Sequence, residues 1–409
     1  MEYDLVFEGG GAKGMVFVGA MQEFEARGHT FKRLLGTSAG AITATLLAAG
    51  YNAQEMLEAL GEQENGQSIF NSFLAKPGPF EKAQIMKSAT LQFLRDVDLP
   101  LIPDFIERKL DEAVVQWLAV DPNLACSYSF LEYGGLFSAN HFIRWMEKRL
   151  DTGEHNGKPR QYSKMTLAQF FDATGCTLTM VASDTTAGEM LVLNHKTAPD
   201  LPVVRAVRMS MSIPILWQEV IWQPEWGKYR GRDMEGHAIV DGGILSNFPI
   251  DLFISQKSYV TNVMGTEPGS TVLGMFIDEA EPVPGVLTSP VENKGIFDQT
   301  PFFQRINNLV NTTLSARDKM VRDSVEDLVV RLPAHGFGTT EFNMTDERRS
   351  LLVKAGCDAM KNYFDRQRVQ PVTDPNVASF GVTVGETPAE EIPEQTREEA
   401  DRIAMRLLG

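Results

Sequence analysis

Two glycine-rich turns near the start of the chain constrain its fold more than any other feature. Leu5-Val6-Phe7 reads as a short buried strand, "GGGAKG" from Gly9 to Gly14 as a tight turn, and Ala12 to Arg27 as a helix with Val16, Ala20 and Phe24 facing inward. Gly28 stops that helix. A second strand, Phe31 to Leu35, runs into "GTSAG" from Gly36 to Gly40, and an alanine-rich helix from Ala41 to Ala49 closes at Gly50. Strand, helix, strand, helix in that order predicts an α/β fold with parallel strands and a right-handed crossover. Both glycine turns then come out on one edge of the sheet.

Gly9, Gly11 and Gly14 fit G-x-G-x-x-G, the dinucleotide fingerprint. Alone it is weak, because free N–H groups at a helix start attract any anion, phosphate or transient oxyanion. The neighbours weigh against a nucleotide. A dinucleotide site wants an acidic residue about 20 positions on, at the end of the second strand, and that strand ends in Gly36-Thr37-Ser38. A Walker loop wants Ser or Thr after its lysine, and Lys13 is followed by Gly14. What the second turn offers is G-x-S-x-G, the elbow that lifts a serine onto a sharp strand-to-helix turn. Ser38 is then either a nucleophile, its alkoxide favoured by the helix dipole, or only a helix cap. In the first reading Gly36 and Gly40 keep the approach open. The Gly9-Gly10-Gly11 run is then the oxyanion hole, with the Gly10 and Gly11 N–H groups about 3 Å from the developing charge.

A serine nucleophile needs a base. Of the six histidines, His29, His141, His155, His195, His237 and His335, the last follows Ser38 in triad order, but in a glycine-rich stretch, "PAHGFG", with no further signature. An elbow after only the second strand also comes early for an α/β-hydrolase. The carboxylate candidate is Asp241, which ends the strand Ala238-Ile239-Val240 and precedes Gly242 and Gly243. It reads as a base, or as an Asx-turn that only stabilises the loop. A carboxyl with an ordinary pKa near 4 is a weak base toward a hydroxyl, so the site must raise that value or lower the hydroxyl's.

A chain of 409 residues, 43% of them apolar, buries a large core. Its net charge of −16 argues against nucleic acid, whose binding relies on clustered Lys and Arg, and disfavours strong docking on anionic lipid. Cys126, Cys176 and Cys357 are too scattered for a disulfide framework or a zinc site. The acidic start lacks the basic and apolar regions of a secretory signal, and no apolar run approaches the roughly 20 residues of a membrane span. The expected location is the cytoplasm, with export by a route that uses no cleavable signal left open.

Four ordered blocks resemble the patatin-like phospholipases. "GGGAKG" resembles the family's oxyanion loop, and "GTSAG" has Ser38 in the nucleophile's place. "AVRMSMSIPILWQEV" resembles the Ala-Ser-x-x-x-Pro block, from Ser210 to Pro214, with Met209 where a small residue is usual. "VDGGILSNFPI" has Asp241 in the place of the catalytic aspartate. Weaker agreement in "GGLFSANHFIRWMEKRL" and "CTLTMVASDTTAGEMLVLN" fills the gaps, and together these cover most of residues 3 to 260. The resemblance implies a three-layer α/β/α fold with a central, mostly parallel sheet. It implies a Ser–Asp dyad that hydrolyses lipid acyl esters, phospholipase A or lysophospholipase in type, without metal or cofactor. Asp241 takes the Ser38 proton, an acyl-enzyme forms, and Asp241 then activates water. Gly14, Gly36, Gly40, Gly242 and Gly243 support the loops. Lys13 binds a lipid phosphate or, in the favoured reading, lies on the helix surface. The expected partners are a phospholipid or lysophospholipid, a transient membrane surface and an unidentified activator, since bacterial members include effectors that must be switched on. An acyltransferase using the same dyad is the alternative; a Ser-His-Asp esterase through His335 and a non-catalytic lipid-binding module stand further off.

The catalytic domain is expected over residues 1–365, with a helical cap inserted at about 61–135. In the cap "NSFLAKPGPF" reads as a loop, and Ile85 to Asp96 and Asp104 to Ala119 as amphipathic helices. The Phe105, Leu110, Val114 and Trp117 stripe of the second is a packing face or, in the other reading, part of a mobile lid. A strand at Val272 to Ile277, a long helix from Phe303 to about Glu326, a strand at Leu328 to Leu332 and a helix from Asp346 to Phe364, opened by Thr345, follow. Residues 366–409 read as an acidic, flexible tail with a short helix near Glu398 to Leu408, or as a segment that docks on another surface.

Overall fold

Crossover helices impose parallel pairing on the first strands, and the computed structural model, which describes residues 1–64, 66–96, 121–266, 270–286, 325–369 and 392–408, shows the sheet they build. Its strands are β1 (Glu2–Phe7), β2 (Thr30–Thr37), β3 (Thr177–Asp184), β4 (Glu189–Leu193), β5 (Val220–Ile221), β6 (Ala238–Asp241), β7 (Thr271–Pro282) and β8 (Val329–His335). β1 lies parallel to β2 and to β7, β7 to β8, and β2 to β3. Beyond β3 the direction reverses: β4 folds back on β3 as a hairpin, β6 runs antiparallel to β3, and β5 antiparallel to β6. The sheet is therefore mostly parallel with an antiparallel end.

Register decides what that end does. Along one edge β3 pairs with β4, from Met180 to Asp184. Along its other edge β2 pairs only as far as Thr37 opposite Val181, and β6 takes the next places, with Asp241 opposite Ala182 and Ile239 opposite Asp184. The rising β2 and the descending β6 thus meet end to end beside a single strand. Ser38, one residue past Thr37, comes out against Asp241.

Side chains alternate between two cores, as the pleat requires. Leu5, Phe7, Leu34, Met180 and Met275 face one cluster, with helices α1 (Met15–Ala26), α2 (Ala39–Ala48), α3 (Val203–Ser210) and α4 (Asp346–Val369) supplying Val16, Phe24, Ala44, Val207, Leu352 and Met360. Val6, Leu35, Val181 and Phe276 face the other, with Phe248, Ile250 and Leu252. Helices on one face and a helical segment on the other make the three layers, and strands buried on both faces read as continuous apolar runs. Thr345 does open α4, its Oγ1 accepting the Arg348 N–H at 3.3 Å.

Of the two readings of the tail, its short helix takes the docked one, while residues 370–391 lie outside the described residues. Helix α5 (Glu394–Leu408) is no free appendage: Ala400, Ala404, Leu407 and Leu408 are buried in the second core. Its Asp401 accepts from Ser255 Oγ and pairs with Lys257, and Tyr259 donates to the Leu408 carbonyl. The physical reason is its apolar stripe, Ala400, Ala404, Leu407 and Leu408, which a remote apolar face has to cover. In the segment expected to be a cap, the expected helix over Ile85–Asp96 is two, Lys82–Lys87 and Ala89–Asp96, because Ser88 is extended and caps the second by accepting the Leu91 N–H. The expected helix over Asp104–Ala119 lies outside the described residues, as does that from Phe303, apart from its last two positions. No described helix is long and apolar enough to cross a membrane.

Candidate active site

Ser38 stands at the N-terminus of α2 with φ 54° and ψ −119°, a left-handed backbone that costs a non-glycine residue free energy and is held by its surroundings. Glycine is required around it. A methyl carbon built on Gly36 would overlap the Gly40 carbonyl oxygen, and one on Gly40 would overlap that of Phe7, so β1, β2 and the start of α2 can close together only without side chains at these positions. The Ser38 N–H donates to Ser210 Oγ at 3.1 Å, and Ser210 in turn donates to the Val181 carbonyl at 2.6 Å. The C-terminal residue of α3 thereby ties the elbow to β3 at the residue that pairs with Thr37.

Asp241 is 2% exposed. Its N–H donates to the Ser212 carbonyl at 2.9 Å, and its Oδ1 accepts the Gly243 N–H at 2.8 Å, within the short turn that Gly242 and Gly243 form. That is the Asx-turn geometry, and it leaves Oδ2 buried with no hydrogen bond among the described residues. Burial pushes the carboxyl from 3.8 up to about 7, while the Gly243 N–H and the neighbouring Ser38 hydroxyl act the other way. Asp241 therefore has both features the sequence left as alternatives: a turn-forming oxygen and a free one. Below it, the buried Arg208 guanidinium donates to Ser212 Oγ and, at 2.6 Å, to the Gln218 carbonyl. Burial lowers its pKa to about 9.

The glycine loop is specific about its donors. The Gly9 N–H is already given to the Asn247 carbonyl at 3.1 Å, and the Ala12 N–H to the Thr339 carbonyl at 2.9 Å. Between them the Gly10 and Gly11 N–H groups donate to no protein atom among the described residues. Gly9 thus shapes the loop without a donor to offer, a correction to its expected place in the oxyanion hole. Gly14 ends the turn and leads into α1.

Lys13 is also not where it was expected. Its side chain is buried, not on the helix surface, and its ammonium pairs with Glu279 on β7. The short 3₁₀ turn from Gly11 to Gly14 rotates it against the sheet end before α1 begins, and a buried lysine is found with a partner. That partner also occupies the charge that a lipid phosphate would need.

His335 ends β8, three strands from β2 in the order β2-β1-β7-β8. At roughly 4.8 Å per strand that is about 14 Å, and its Nδ1 lies 2.9 Å from the Glu279 carbonyl. It cannot complete a triad with Ser38 and Asp241. His237 does meet a carboxylate, Asp184 Oδ2 at 2.6 Å, but Asp184 lies two residues beyond Ala182 along β3.

Ser210 was legible as the start of a family-like block, though not its bond to Ser38. Asn247 lies within the family-like "VDGGILSNFPI" block but was given no role there, and Glu8 and Thr339 carry no sequence signal of their own. Each acquires its place only when β1, β7 and the loop after Asp241 converge.

Residues 5–254 match the family model described as patatin-like phospholipase. YqhO of Bacillus subtilis, described as uncharacterized, is 28% identical over 367 residues, covering 87% of this chain and 96% of its own length. The probable lipid hydrolase 463L of Invertebrate iridescent virus 6 is 21% identical over 254 residues, 62% of this chain and 64% of that protein. Among solved structures, VipD from Legionella pneumophila aligns with a TM-score of 0.43 at 18% identity, over 89% of this chain and 67% of VipD. The type III effector protein ExoU aligns at 0.40 and 15% identity, over 90% of this chain and 54% of ExoU. The family match runs from β1 through both glycine turns, Ser38 and Asp241 to the helical turn at Ile254, well over half the chain. With that match this chain belongs to the patatin-like phospholipase family, whose members are lipid hydrolases.

Proposed function

We propose that this protein cleaves the carboxylic ester of a phospholipid or lysophospholipid through an acyl-Ser38 intermediate, with Asp241 as the general base. The observation that carries the reading is the free, buried Oδ2 of a carboxyl held near neutrality beside Ser38. A base with a pKa near the working pH combines a useful ionised fraction with real proton affinity.

In the first half-reaction Oγ attacks the carbonyl carbon as Oδ2 takes its proton. The carbonyl oxygen, now an anion, accepts from the Gly10 and Gly11 N–H groups. The C–O bond then breaks, and Asp241 returns the proton to the leaving alcohol. In the second half-reaction Asp241 takes a proton from water as its oxygen adds to the acyl carbon, and on collapse the acyl–Oγ bond breaks, Asp241 returns that proton to Oγ and the fatty acid is released. Every proton lost by Ser38 or water is carried by one carboxyl, so histidine and metal are not needed by this route. The N-terminus of α2 and the two free N–H groups face negative charge that exists only during reaction, which is where stabilisation raises kcat.

A fluorophosphonate probe tests nucleophile and competence together. Intact mass should show one adduct per chain, absent in Ser38→Ala; labelling that persists in that variant overturns the reading.

A further inference from the structure

Resting on the oxyanion role proposed for Gly10 and Gly11, the geometry points to Asn247 as the positioning residue that aims the Gly10 N–H. Asn247 holds Gly9 at both ends. Its main-chain carbonyl accepts the Gly9 N–H at 3.1 Å, and its Nδ2 donates to the Gly9 carbonyl at 2.9 Å. The Gly9 carbonyl and the Gly10 N–H belong to the same peptide unit, which is planar and trans, so the two point in opposite directions. Fixing the carbonyl on Nδ2 therefore turns the Gly10 N–H away from Asn247. The next unit is fixed likewise but locally, the Gly10 carbonyl accepting the Lys13 N–H at 3.2 Å and turning the Gly11 N–H outward.

The Gly9–Gly10 unit needs the distant clamp because glycine offers little resistance to rotation of its flanking peptides. Glu8 sets the amide itself. Its Oε1 accepts from Asn247 Nδ2 at 3.2 Å while its Oε2 accepts the Ile277 N–H at 2.6 Å, tying the clamp to β7. Two acceptors therefore face Nδ2, and a flipped amide would set Oδ1 against both of them. Oδ1 is buried without a hydrogen bond among the described residues, a cost consistent with a side chain retained for its other end. Packing leaves no slack: a methyl carbon on Gly9 would overlap Oδ1, and it would stand 3.1 Å from Ser38 Cβ. The clamp and the nucleophile flank the same glycine.

The test is steady-state hydrolysis of a soluble p-nitrophenyl ester by Asn247→Ala, with Ser38→Ala and Asp241→Asn run alongside. A misaimed donor weakens transition-state binding alone, so kcat should fall about 10- to 100-fold while KM stays within about twofold. The pH midpoint of kcat should not move. An unchanged kcat, or a loss confined to KM, overturns the proposal, as does a shifted pH midpoint, which would make Asp241 the group affected. Activity surviving in Ser38→Ala would instead remove the reading on which the proposal rests. Should Asn247→Ala fail to fold, Asn247→Leu, which keeps nearly the same shape but has no Nδ2 to donate to the Gly9 carbonyl, should lower kcat about 10- to 100-fold at unchanged KM. Wild-type kcat in that variant overturns the proposal equally.

Discussion

Thr37 and Asp241 pair with consecutive residues of one strand, Val181 and Ala182, from opposite directions. This end-to-end meeting brings Asp241 to the Ser38 elbow, and the roles proposed for the two residues are ones that substitutions separate. Ser38→Ala and Asp241→Asn should each lower ester turnover by at least about 10³-fold with an unchanged far-ultraviolet circular dichroism spectrum. His335→Ala should leave turnover within about twofold, since His335 lies three strands away. The opposite pattern, activity lost with His335 and kept without the Asp241 carboxylate, would mean a triad.

The raised pKa of Asp241 makes activity depend on pH with a definite sign. As a base it works ionised, so kcat should climb as pH rises through about 7 and level off above it. A profile already flat from pH 5 to 8 would mean an ordinary carboxylate.

The same group opposes folding at high pH. A folded-state pKa above the unfolded one means that the native state binds the proton more tightly. Below about 3.8 both states are protonated and nothing is lost; the penalty grows through the interval up to about 7 and is complete above it. Carrying the carboxyl across that interval corresponds to on the order of 4 kcal/mol at most. Asp241→Asn, which keeps an oxygen for Gly243, should thus be more stable than the parent in urea at pH 8, with the gain shrinking toward pH 4. An equal or lower midpoint at pH 8 would contradict the burial argument.

Ser210 links α3 to the elbow through one hydroxyl that accepts from Ser38 N–H and donates to Val181. Ser210→Ala leaves two buried backbone groups unpaired, at about 1–3 kcal/mol each before relaxation. Equilibrium unfolding should show a loss in that range, and kcat should fall more than KM rises. A neutral Ser210→Ala would mean that the strained Ser38 backbone is held by glycine packing alone.

Helix α5 reports on whether the tail belongs to the folded unit. Leu407 is buried in the second core, so Leu407→Ala should cost about 2–4 kcal/mol in the main unfolding transition. A cost below about 0.5 kcal/mol would mean that the helix comes off before the sheet unfolds.

Sequence alone determined what depends on neighbours along the chain. Apolar periodicity and the glycine stops gave β1, α1, β2 and α2, because such elements are set by local backbone preference and by which face meets a core. The identity of Ser38 and Asp241 as candidates was also local, since an elbow and an aspartate-glycine-glycine turn are written in adjacent residues. Only tertiary structure decided that β6 runs antiparallel and ends beside Ser38, because strand direction and register come from pairing with β3, far away in sequence. It likewise gave the Gly9 N–H to the Asn247 carbonyl, away from the oxyanion role expected of it, buried Lys13 against Glu279 and seated α5 on the sheet. Each of these depends on an acceptor, a charge or an uncovered apolar face supplied by a remote segment. A buried group's partner, unlike its helix or strand, is not encoded in the residues beside it.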